Sequence, residues 1–211
     1  MTSLATLLTL ADSRLPTGGH VHSGGVEEAV TENLVRDLAT LRAFLRRRIR
    51  TTGLVGASIA AAVHSGTLSV PQADIETDAR TPSPAARQAS RAHGRGLLRL
   101  ARRVWPDARW DALGATPHLA VVTGCAGTAS GLEPEQTALT VVYTTMTGSA
   151  TAAQRLLALD PGDVAALTFE LSTLCDQAAA AACKELADLS DPLLDVLAQR
   201  HTQRERPLFV S

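Results

Sequence analysis

The chain has 211 residues, 45% of them hydrophobic, 19% charged and 3% aromatic, with a formal net charge of −1. That length and apolar share exclude a disordered chain and suit one sizeable domain with its own core. The near-neutral charge removes the electrostatic case for nucleic acid as a partner, and the scarcity of aromatics leaves Leu, Ala and Val to fill the core, a composition that favours helices.

Leu4, Leu7, Leu8 and Ala11 recur at helical spacing and predict an amphipathic helix over residues 2–11. A glycine-rich loop follows, LPTGGHVHSGG at 15–25, and helical pattern resumes near Val26 and runs to about Asn33. Leu38, Leu41, Leu45 and Ile49 form the next apolar stripe, beside Arg46, Arg47 and Arg48. Residues 54–64, LVGASIAAAVH, are almost all small and apolar, which predicts a helix that needs cover on every side. RTPSP at 80–84 reads as a loop, with Pro84 opening a helix to Val104 that Pro106 stops. Pro117 opens the next predicted helix, which ends near Gly131.

Two long helices are predicted over 133–158 and 161–188, and a last one over 192–203. Asp160-Pro161 and Asp191-Pro192 supply start signals, with Asp as N-cap and Pro in the first turn. VVYTT at 141–145 has strand propensity but lies inside a helix-period stretch. The expectation is an all-α fold: a single compact domain over 1–203, about eight to ten helices around a buried central one, with an extended C-terminal tail over 204–211. Met1–Ala11 has no basic leader and no apolar run reaches membrane-spanning length, so a cytoplasmic protein is expected, with no membrane contact.

His20 and His22, two residues apart, could present two imidazoles on one side of an extended loop, a ligand pair suited to nickel, zinc or copper; the alternative is histidines that fasten the turn by hydrogen bonds. Gly18, Gly19, Gly24 and Gly25 permit positive φ or close backbone approach, but G-x-x-x-x-G-K-[ST] is absent, and the only lysine is Lys184. The P-loop route to nucleotide hydrolysis is therefore closed to this chain. Arg91, Arg95, Arg99 and Arg102 share one face of the 84–104 helix, with Leu97, Leu98, Ala101 and Val104 on another. This reads either as a solvated basic face or as a docking surface for an acidic partner, and Gly94 and Gly96 let a neighbouring helix approach. Cys125, Cys175 and Cys183 form neither a disulfide framework nor a C-x-x-C site.

With these residues in view, the chain resembles the UreF-type urease accessory proteins. The resemblance rests on LLTLADSRLPTGGHVHSGGVEEAV at 7–30, SRAHGRGLLRLARRVWP at 90–106, HLAVVTGCAGTASGL at 118–132, TMTGSATAAQRLLALDPGDVAAL at 145–167, and the tail from His201 to Ser211. It implies an all-helical, homodimeric, non-catalytic scaffold or chaperone. Such a protein joins a UreD/UreH-type scaffold and a UreG-type GTPase, regulates that GTPase, and serves nickel insertion into apo-urease. Nickel is then cargo in transit and no cofactor is tightly bound.

The same resemblance assigns partner or channel surfaces to Thr17, Gly18, Gly19, His22, Ser23, Gly24, Gly25 and Glu27, and complex formation to Arg204, Arg206, Leu208, Phe209 and Ser211. His20 stands where the family carries an aromatic residue. Phe209 reads as an anchor for a partner groove or as a group folded back on its own domain. Two other readings stay open: a stand-alone nickel-binding protein using His20, His22 and a third ligand, and a helical hydrolase assembled from Ser23, His22 and a remote acid.

Overall fold

Caps and prolines set most of the helix starts. The computed structural model describes residues 4–17, 19, 22–188 and 191–209; among these there are ten α-helices and no strand. They are α1 Leu4–Leu10, α2 Val26–Thr31, α3 Leu38–Arg48, α4 Leu54–His64, α5 Val70–Ala79, α6 Pro84–Val104, α7 Leu119–Ser130, α8 Pro134–Leu157, α9 Pro161–Ala182 and α10 Pro192–His201. Asp37 and Thr40 form a reciprocal capping box at α3, and Ser83 caps α6. Asp160 and Asp191 cap α9 and α10 as their Asp-Pro signals predict. Asn33, at φ +57°, takes the left-handed turn that ends α2, with the Leu34 and Val35 N–H groups returning to Ala29 O.

The predicted all-α fold with a buried central helix is what forms. Ala57, Ser58, Ile59, Ala60 and Ala61 of α4 are buried, and α4 touches α5, α7, α8 and α9. Small residues make this possible. A Cβ on Gly124 of α7 would stand 2.7 Å from Ala60 O and 2.7 Å from Val63 Cβ. One apolar cluster gathers α2, α3, α8, α9 and α10 on one side of α4, and a second gathers α5, α6 and α7 on the other. No helix among the described residues is long and apolar enough to cross a membrane.

The structure departs from the sequence reading at several elements. A π-helical turn, Ile49–Gly53, splices α3 directly into α4. Helix α5 was not expected: only Ala73 and Thr77 are buried and Ile75 faces outward, so it carries no apolar stripe, and Pro71 in its first turn is its main local signal. Pro117 precedes α7 instead of opening it, because His118 takes the N-cap position. Helix α9 stops at Ala182, six residues early. Tertiary hydrogen bonds hold the chain beyond: Ala187 N–H donates to Ser58 Oγ at 3.1 Å, and Ala187 O accepts from Arg80 Nε at 3.0 Å. Val104, placed by spacing near the apolar face of α6, is exposed at the helix end.

Candidate functional site

The two glycines inside α6 position the opening loop. A Cβ on Gly96 would lie 2.5 Å from Thr17 O, and one on Gly94 would lie 2.0 Å from Pro117 O. Each cost of about 1 kcal/mol in helix propensity thus has a packing reason. It is not the expected neighbouring helix: Gly96 seats the loop and Gly94 seats the entry to α7. At the far end of the loop Gly24 and Gly25 take φ of +64° and +87°, and Gly25 becomes the N-cap of α2. Arg48 from α3 donates to Gly24 O, and its guanidinium sits where a Gly24 side chain would be. Burial pulls the Arg48 pKa down to about 10, with Asp191 opposing the shift.

The seated loop brings His22 onto His93 of α6. Their ring centroids are 4.1 Å apart and their planes cross at 81°. His93 Nε2 is buried without a hydrogen-bond partner. Burial, reinforced by the neighbouring His22, pulls the His93 pKa down to about 4, so its imidazole is neutral at physiological pH. Both rings line an inner cavity of about 620 Å³ that also reaches Arg48, Thr140, Thr144 and Phe209. They line as well an outer cleft of about 450 Å³ bordered by Pro16, Thr17, Arg95, Gly96 and Arg99.

Arg95 and Arg99 are exposed on that rim, as the basic-face reading expects. Arg91 is not part of the open face. It turns into an acidic pocket, 2.9 Å from Asp74 and 2.7 Å from Asp78, and donates to Thr116 O at 2.6 Å. The carboxylates of Asp74 and Asp78 and the ring of His118 bring three ligand atoms within 4.8 Å of one another. The Arg91 guanidinium already supplies positive charge there. His118, buried at the start of α7, joins Asp78 at 2.9 Å and Ser90 at 3.0 Å, and burial holds its pKa below the ordinary value. The arrangement fastens α5, α6 and α7 together.

Glu27 and the C-terminal tail form a second buried polar centre. Glu27 Oε1 accepts from Leu208 N–H at 2.7 Å, and its Oε2 accepts from Phe209 N–H at 3.1 Å and pairs with His201 Nε2 at 2.7 Å. Burial alone would raise the Glu27 pKa; the donors from Leu208, His201 and Phe209 outweigh it and hold the carboxyl below its ordinary range. Arg204 adds contacts to Glu28 at 3.2 Å and Thr31 at 2.6 Å. Of the two fates open to Phe209, the structure shows the second: its ring is 7% exposed and belongs to the core. Glu27, which the resemblance places on a shared surface, is likewise inside and holds the chain's own tail. Arg206 and Leu208 remain outside, Leu208 at 79% exposure.

Ser23 is buried, and its Oγ accepts from Glu27 N–H at 3.3 Å, the geometry of a helix start. Burial pushes the thiols of Cys125 and Cys175 up to about 11, so neither is a ready thiolate. Gly18, His20 and Ser211 lie outside the described residues. His93 and Arg48 were not singled out from sequence. The signal for His93 was its place in AHGRG, one residue before a glycine that takes a crossing backbone.

A sequence model of the UreF family matches residues 35–172. Over the full length of both chains, this chain is 77% identical to the urease accessory protein UreF of Mycolicibacterium vanbaalenii. The corresponding protein of Mycobacterium marinum is 72% identical and that of Mycobacterium bovis BCG 71%, again end to end.

Proposed function

Because the chain belongs to the UreF family of urease accessory proteins, we propose that it is a non-catalytic scaffold that joins a UreD/UreH-type protein and a UreG-type GTPase on apo-urease so that nickel can be inserted. Nickel is the cargo of that assembly, and the chain itself holds no resident cofactor. The observation that carries this reading is 77% identity to a urease accessory protein along the entire chain. The absence of a P-loop motif from the sequence agrees with it, since nucleotide hydrolysis then belongs to the partner.

The surfaces we assign to partners are the outer cleft, with Thr17 and the exposed guanidiniums of Arg95 and Arg99, and the outward side of the tail, with Arg206 and Leu208. Arginine on a rim suits carboxylates on a partner. The chain forms a homodimer in the cytoplasm and regulates the GTPase it recruits. Co-purification tests this: tagged full-length chain should bring down both the scaffold and the GTPase, while the isolated chain should hydrolyse no GTP. Unaided turnover of GTP, or no capture of either partner, overturns it.

A further inference from the structure

We propose that His22 and His93 form a two-imidazole site for a borderline divalent transition cation, placed between the outer cleft and the inner cavity. The first observation is convergence. A loop residue and a helix residue 71 positions apart in the sequence are brought ring to ring, and both line the two spaces. The second is the buried His93 Nε2, which has no hydrogen-bond partner. A buried polar atom left unsatisfied is costly, and a metal ion would engage its lone pair. The ring is also in its neutral, ligating form, since burial and His22 both oppose a proton there.

The spacing is close to what coordination needs. Two imidazoles on one ion, with metal–nitrogen distances of about 2.1 Å, place their ring centroids about 4.6 Å apart at a right angle and about 5.3 Å apart at the tetrahedral angle that zinc prefers. The rings now stand 4.1 Å apart in an edge-to-face contact, so they must part by about 0.5–1.2 Å and each turn a nitrogen toward the ion. Imidazole selects nickel, zinc, copper or cobalt over magnesium or calcium. With two protein ligands, water completing the shell and Arg95 and Arg99 repelling the cation from the rim, binding is far weaker than at a four-ligand structural site. The sequence pairs His22 with His20; the structure offers His93. Cation binding here is a property of this pair alone, so its failure leaves the maturation role standing.

The test is calorimetric titration of the full chain with nickel chloride and with zinc chloride, with magnesium chloride as control. Wild type should bind one nickel or zinc ion per chain and no magnesium, and His22→Gln and His93→Gln should each weaken that binding at least tenfold without moving the unfolding midpoint. Undetectable nickel and zinc binding to wild type overturns the proposal, as does binding that His93→Gln leaves intact. Should His93→Gln not fold, the imidazole resonances of wild type decide. Substoichiometric paramagnetic nickel should broaden His22 and His93 first, and broadening that spares His93 overturns the site.

Discussion

Glu27 holds three groups of the tail with one carboxylate, and this is where a single substitution should be felt most. Its two oxygens receive Leu208 N–H, Phe209 N–H and the His201 ring in a place that water does not reach. Hydrogen bonds to a charged group contribute about 1.5–3 kcal/mol each to stability, so Glu27→Gln, which keeps the shape and loses the charge, should lower stability by about 2 kcal/mol at neutral pH. Denaturant titration measures that loss, and limited proteolysis should cut the released tail faster. The pH dependence has a definite sign. The folded carboxyl sits below its ordinary value of 4.5, so the stabilisation is complete above that value and disappears as pH falls through the lower folded pKa. The stability gap between wild type and Glu27→Gln should therefore close in acid, and a gap that widens there contradicts the role given to this charge.

At the scale of elements, close helix contact divides the glycines into two kinds. Gly124 lies in the α4–α7 seam, where a methyl group would meet backbone and Val63 at 2.7 Å. Gly124→Ala should cost about 1–3 kcal/mol through overpacking. Gly148 is a helix-interior glycine of α8 with nothing within 4 Å of an added Cβ, so Gly148→Ala should gain about 0.5–1 kcal/mol from helix propensity. Thermal unfolding of the two variants should move in opposite directions. The same contrast explains what the sequence could disclose. Helices α4, α6 and α9 were legible because Leu54–His64 is apolar all round and Pro84 and Asp160-Pro161 mark starts. Helix α5 was not, because a surface helix with two buried residues has no periodicity to read. The site followed the same rule. The opening loop and tail were legible as unusual segments, but His22 on His93 and Glu27 under Phe209 are contacts across 71 and 182 positions, set by tertiary packing that no local pattern encodes.

At the scale of the whole molecule, helices that fit closely through small residues leave the α6 rim and the outer side of the tail exposed, and these are the surfaces proposed above for partners. Because Phe209 is seated in the core, deleting residues 204–211 would disturb the fold as well as any interface. Arg206→Ala with Leu208→Ala removes only outward groups. That double variant should keep wild-type stability within about 0.5 kcal/mol and lose at least tenfold in retention of the scaffold partner; unchanged co-purification would place the contact elsewhere. Membership of a urease accessory family makes the most direct measurement one on urease itself: the nickel content of urease co-expressed with the remaining accessory proteins, in the presence and absence of this chain. Nickel-replete, active urease with the chain and nickel-poor, inactive urease without it is the expected result, and full nickel loading in its absence would contradict a role in delivering the metal.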